Sequence, residues 1–257
     1  MDLQKLGLAV SLFLILAGSV FAQDKEAKMQ DNEKIKQQIA AEIQQNIIEG
    51  NQQYKEGSYT QAIGAYEKVL DRDFNSAAAW RKMGDAYDKL HQYPQAIACH
   101  EKAVSLNPYD IKTYIGLVME YKVFGKPKDL KEDVYGGSQK IFMNNKVIEY
   151  SQKIIEIKPD DPSAYMMLAI GYMNVGKTQE MVDTFLKGKN ICVKRGFTQA
   201  AQFMDNYAKQ ATMTQQNVSA DSPEYKAVEA EIARLGVSQD VQKELYADMV
   251  GAMGENE

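Results

Sequence analysis

Histidine and cysteine are scarce in this chain. Its 257 residues include two of each: His91, His100, Cys99 and Cys192. A metal site needs ligands that converge. Cys99 and His100 are adjacent, and on a helix adjacent side chains point about 100° apart. No metal site is expected, and the histidines read as ordinary helix positions. Phosphate-cradling glycine loops, nucleophile elbows and metalloprotease helix motifs are also missing. The acid pairs Glu132-Asp133 and Asp160-Asp161 read as solvated or capping groups. The chain is therefore expected to be no enzyme and to carry no cofactor. A basic face is missing as well. Lysine and arginine total 30 against 35 acids, a net charge of −5, which gives no reason to expect nucleic acid.

Long apolar runs are missing with one exception, the N-terminal MDLQKLGLAVSLFLILAGSVFAQD. Lys5 precedes an apolar run from Leu6 to Phe21, 16 residues, and Val20 and Ala22 stand at −3 and −1 to a cut before Gln23. This layout reads as a signal peptide, 1–22, cleaved after Ala22. The alternative is an uncleaved anchor, but a spanning helix needs about 20 apolar residues, so the shorter run favours cleavage. No cysteine sits near the cut, so there is no lipoprotein signal. The expected location is the bacterial periplasm, or secretion, with no stable membrane span after cleavage.

What is abundant is repetition. GNQQYKEGSYTQAIGAYEKVL from Gly50 and GDAYDKLHQYPQAIACHEKAV from Gly84 align without gaps. Gly50 to Gly84, Tyr59 to Tyr93, Ala62 to Ala96 and Val69 to Ala103 are all offsets of 34 residues. Periods of this length mark stacked repeats. The unit 77–110 carries Trp80, Met83, Gly84, Tyr87, Tyr93, Ala96, Ala103 and Pro108. These positions resemble the tetratricopeptide repeat family, whose unit is a pair of antiparallel helices. A unit at 43–76 keeps Gly50, Gly57, Tyr59, Ala62, Tyr66 and Leu70 but has Phe74 in place of proline. A unit at 162–195 keeps Tyr165, Leu168, Ala169, Tyr172, Gly176 and Phe185, and departs at Met181 and Gly188.

The spacing has a physical basis. Gly50, Gly84 and Ala169 let the two helices of a pair approach, with Ala62 and Ala96 facing them. Tyr66, Tyr87 and Tyr172 fill the space between pairs. Asp110 and Asp161 read as N-caps, with Pro162 at a first helical position. A helix pair cannot bury its apolar face alone, so neighbours must stack. The resemblance implies an all-α, right-handed superhelical stack of helix pairs over 43–195. Residues 23–42 form a polar lead-in, joining the first helix near Lys34. After Gly196 the repeat fades but helical patterns continue in FTQAAQFMDNYAKQATM, SPEYKAVEAEIARLG and SQDVQKELYADMVGAM. Residues 196–257 thus read as extra helices packing on or capping the stack.

A unit at 111–161 is present but split. Pro108 to Pro159 is 51 residues, 17 more than one repeat, so the segment around 125–145, GKPKDLKEDVYGGSQKIFMNN, is an insertion in a hairpin turn. Ser138 can cap a helix through Ile141, Phe142, Ile148 and Ile155, which shortens the loop to about 125–137. The segment either folds over a ligand, with Tyr135, Ile141 and Phe142 as contacts, or is a tolerated surface insertion.

The resemblance also implies a groove lined by the first helices of the pairs. Its positions fall on Ile47, Asn51 and Tyr54, then Arg81, Asp85 and Asp88, then Ile115, Met119 and Lys122, then Met166, Ile170 and Met173. One end is charged and the other is apolar and methionine-rich, as on adaptable binding surfaces. Either the strip Met119, Met166, Ile170 and Met173 is open to a partner, or C-terminal helices cover it. A carboxylate-clamping mode is not supported, because only Asn51 and Lys112 match among Ile47, Asn51, Lys82, Lys112 and Gly116. Cys99 and Cys192 lie two pairs apart. With helices about 8–10 Å apart, they exceed the roughly 7 Å Cα separation a disulfide allows. The functional expectation is an exported scaffold binding a protein or peptide. The alternative is a small-ligand-binding accessory of an envelope uptake system.

Overall fold

The computed structural model describes residues 3–124, 136–236, 241 and 244–245, with side chains from residue 25 onward except at 27, 124 and 136–138. Among the described residues there are ten helices and no strand. The chain divides into two compact units, 1–75 and 76–257.

The first unit holds α1 (Leu3–Lys55) and α2 (Tyr59–Arg72). The helix begins at Leu3 rather than near Lys34, and the described side chains from 25 to 42 are exposed. Its last turns pair with α2. A Cβ on Gly50 would lie 2.5 Å from Tyr66 Cε1, so only glycine leaves room for the buried ring. The Tyr66 hydroxyl donates to Asn51 Oδ1 at 3.1 Å, and Arg72 donates to both Glu42 oxygens.

The second unit is a succession of neighbours: α3 (Ala77–Lys89), α4 (Tyr93–Leu106), α5 (Ile111–Phe124), α6 (Gly136–Ile157), α7 (Pro162–Asn174), α8 (Thr178–Lys194), α9 (Thr198–Gln215) and α10 (Pro223–Gly236). Each packs against the next. The expected caps are in place. Asp110 Oδ1 accepts from Lys112 N–H at 3.1 Å, and Asp161 Oδ1 from Ser163 N–H at 2.9 Å, with Pro162 opening α7. Helix α8 is continuous over 17 residues despite its departures from the repeat, and Met181 is buried in it.

Two apolar clusters hold this unit. One joins α5, α6 and α7 through Tyr114, Leu117, Val147, Tyr150, Ile154 and Met167. The other joins α7, α8 and α9 through Met166, Phe185, Phe203 and Met204, and includes Leu235, Val241 and Leu245 further along. Helices α9 and α10 therefore extend the stack by one more pair, with Ser222 Oγ accepting from Tyr225 N–H at the start of α10. Of SQDVQKELYADMVGAM, only 241, 244 and 245 are described, and all three are helical. Cys99 and Cys192 are buried and are not joined in a disulfide. Burial pushes the Cys192 thiol up to about 12, so it stays protonated and unreactive.

Helix α6 corrects the reading of the insertion. It starts at Gly136, two residues before Ser138, and runs 22 residues. Its buried apolar residues are Met143, Val147, Ile148, Tyr150 and Ile154, while Ile141 and Phe142 are 53% and 52% exposed. Two apolar stripes interleave along this helix, and the 141–148–155 stripe is the outer one at its start. Residues 125–135, including Tyr135, lie outside the described residues.

The turn after the first helix of a pair needs a left-handed residue. Gly57 (φ 78°) and Gly176 (φ 76°) supply it, and His91 (φ 58°) occupies the matching position after α3. A non-glycine residue pays roughly 1 kcal/mol there. His91→Gly is expected to raise the unfolding free energy by about 1 kcal/mol, measured as an upward shift of the urea midpoint.

Candidate functional site

The expected groove positions fall into three environments. Asn51 and Tyr54 are in the first unit. Asn51 accepts the Tyr66 hydroxyl, and Tyr54 packs edge-on against Tyr59 at 5.3 Å. Both are half-buried supports of the α1–α2 pair.

On α5 and α7 the expected apolar strip divides. Ile115 and Met166 are 2% and 3% exposed and belong to the core. Met119 packs partly on the α5–α7 cluster and Ile170 partly on the next one. Met173 is 42% exposed, and Lys122 is half-buried. Met166 and Ile115 are therefore corrected from groove lining to core, because the stacked helices close over the inner edge of each first helix. The outer edge, Met119, Ile170 and Met173, remains at the surface.

On α3 the structure builds something the sequence reading missed. His100, from α4, is 1% exposed and lies in a slot between two glycines. A Cβ on Gly84 would sit 2.6 Å from the imidazole, and one on Gly116 of α5 would sit 2.9 Å from it. His100 Nε2 is 3.3 Å from Asp85 Oδ1 and 3.2 Å from the Arg81 carbonyl. His100 Nδ1 is 2.8 Å from Glu120 Oε1, and Glu120 is itself 1% exposed. Arg81 donates to Asp85 Oδ2 at 2.9 Å and pairs with Asp110 Oδ2 at 3.3 Å. Asp110 Oδ2 also accepts the Thr113 hydroxyl at 2.7 Å. The result is a chain of alternating charge, Glu120–His100–Asp85–Arg81–Asp110, tying α3, α4 and α5 together.

The pair fixes its own ionisation. Burial opposes a charge on His100, but the Asp85 and Glu120 carboxylates outweigh it and raise the imidazole to about 10. Burial likewise raises Glu120, against the pull of His100. Asp85 is lowered: burial raises it, and the hydrogen bond and charge of His100 with the charge of Arg81 more than reverse this. A folded pKa above the unfolded value of about 6.5 contributes stability that is complete below that value and is lost as pH rises through the folded one. The urea midpoint is therefore expected to fall steadily between about pH 6.5 and 10, and His100→Phe to flatten that decline.

The signal for this network was present. His100 stands 34 residues after Tyr66, at the repeat position that holds an aromatic ring in the α1–α2 pair. A histidine there, with a glutamate on the next helix, reads as a polar substitution of an apolar slot.

Elsewhere, the Tyr121 and Tyr150 hydroxyls both donate to Glu101 Oε1 at 3.0 Å, which fastens α4 to α5 and α6. A cleft of about 440 Å³ opens between α8, α9 and α10, lined by Val182, Leu186, Ala208, Thr212 and Val228. Lys189 and Lys209 hold Asp205 in its wall at 2.6 and 2.8 Å. Among the described residues, no group of histidine, cysteine and acids has metal-binding geometry, and no helix is long and apolar enough to cross a membrane.

Comparison with known proteins matches this arrangement. The tetratricopeptide repeat model matches residues 77–110, the α3–α4 pair. Hsp70-Hsp90 organizing protein 3 of Arabidopsis thaliana is 26% identical over 98 residues, 35% of this chain and 18% of that protein. Sperm-associated antigen 1 of Mus musculus is 21% identical over 145 residues, 56% of this chain and 14% of that one. The chain thus spans less than a fifth of either relative's length. Among solved structures, a MamA protein superimposes with a TM-score of 0.57 at 18% identity, covering 81% of this chain and 96% of that one. YrrB, described as a TPR protein with an unusual peptide-binding site, superimposes at 0.54 with 14% identity, covering 79% and 90%. Residues 77–110 thus match a tetratricopeptide repeat, and the described helices share the stacked helix-pair fold of these solved structures.

Proposed function

We propose that the chain is an exported, non-catalytic scaffold that binds a protein or peptide segment along the outer edge of its first helices. The observation that supports this most is the surface left on α3, α5 and α7. Asp85 and Asp88 stand at one end, and Met119, Ile170 and the exposed Met173 follow. Methionines that stay accessible on a rigid stack adapt to varied partners, and an apolar strip with a charged end gives a bound segment both affinity and direction. Similarity to a protein with a peptide-binding site adds weight as analogy of fold. The N-terminal run Leu6–Phe21 supports export, which predicts a mature protein beginning at Gln23.

The test is affinity capture from the native cell envelope, comparing the mature chain with its Met119→Glu, Met173→Glu variant. Two lost apolar contacts, each replaced by a charge, are expected to weaken capture by about tenfold or more, with a cooperative thermal melt confirming that the variant is folded. Unchanged capture would remove the groove from the account. The small-ligand alternative rests on the α8–α10 cleft, whose size and apolar lining fit a small molecule. It predicts a ligand that co-purifies with the chain in native mass spectrometry.

A further inference from the structure

The charged end of this face is out of balance. Arg81 is engaged by both Asp85 and Asp110. His100 is engaged by Asp85 and Glu120. Glu120 Oε2 is fully buried and has no hydrogen-bond partner among the described residues. Asp88 lies one turn beyond Asp85 on the same face of α3 and has no ion-pair partner among the described residues, and its charge and that of Asp85 bear on Glu120. Four carboxylates (Asp85, Asp88, Asp110 and Glu120) therefore face three cations, Arg81, His100 and Lys82. Free in solution, water screens the excess. A segment laid across α3 would strip that water, and carboxylates left bare against an apolar or acidic residue are costly.

We infer that the α3 end of the face takes a lysine or arginine side chain of the bound segment, placed against Asp88 and the exposed edge of Asp85. This rests on the groove reading and names its partner more closely: an extended or helical segment with a basic residue at one end and apolar residues reaching Met119, Ile170 and Met173. The basic residue supplies the missing cation as water leaves. An acidic residue in the same place is rejected, so the notch sets direction and specificity as well as affinity. His100 and Glu120 act as positioning residues, holding Asp85 from behind.

The probe is a random dodecapeptide library displayed on phage and selected on the immobilised full chain. The expected outcome is enrichment of lysine or arginine at one fixed position beside apolar residues. Asp88→Asn should lower that basic preference about tenfold while leaving the apolar positions enriched, and Asp88→Lys should replace it with a preference for aspartate or glutamate. Both substitutions lie on a half-exposed position, and thermal melts confirm that each variant is folded. Enrichment of apolar residues alone, or a basic preference indifferent to both variants, overturns the cation notch and leaves the groove standing. No enrichment of either kind overturns both.

Discussion

His100→Phe is expected to cost roughly 3–5 kcal/mol of stability, the usual penalty for breaking a buried ion pair from one side. The ring itself should fit. Tyr66 and Phe185, fully buried aromatics at the matching positions of other helix pairs, fill comparable slots. The loss comes from Glu120, which is 1% exposed and would be left without its counter-charge. Adding Glu120→Leu removes the stranded carboxylate and restores an apolar slot, so the double variant should recover most of the loss. Buried pairs replaced by apolar residues of similar volume are often neutral or better. The check is a double-mutant cycle from urea unfolding of the full chain. A double variant as unstable as His100→Phe alone would show that the histidine matters for its shape and not for its charge.

Met166→Glu is expected to destabilise by roughly 3 kcal/mol or more, because it places an unpaired carboxyl in the cluster shared by α7, α8 and α9. Met173→Glu, on the same helix and two turns away, should stay within about 0.5 kcal/mol, as surface changes do. Both residues occupy groove positions by repeat arithmetic. Only their burial separates them, so the pair marks the line between core and surface on α7. Thermal and urea midpoints of the two single variants read it directly. Equal losses would mean that Met173 is covered and cannot meet a partner.

The limits of the sequence reading follow from the same contrast. A period of 34 residues identifies helix pairs, and the caps at Asp110 and Asp161 set their starts, because both depend on local spacing. How far a neighbouring helix closes over a given position depends on the packing of distant residues. Ile115 and Met166 were therefore misread as lining. In α6, apolar residues at 141, 148 and 155 and at 143, 147, 150 and 154 fit one helix equally well; the packing against α5 and α7 buries the second set together with Ile148, and leaves Ile141 and Phe142 outside. The His100–Glu120 pair joins residues 20 positions apart on different helices. Each is unremarkable alone, and their meeting depends on Gly84, which the repeat pattern explains as a close-approach position, and on Gly116, which it does not explain. The α9–α10 pair lacks the repeat's signature residues and still stacks, because an apolar face and a compatible length are enough to continue the array.

The central claim, that a partner lies along the outer edge of α3, α5 and α7, is tested most directly by site-specific photo-crosslinking in the native cell. A photoreactive amino acid is placed in turn at residues 88, 119 and 173 on that edge, and at the exposed residues 153 and 187 of the second helices α6 and α8. The account predicts a shared adduct from 88, 119 and 173 and none from 153 or 187. Adducts arising only from 153 or 187 would contradict it.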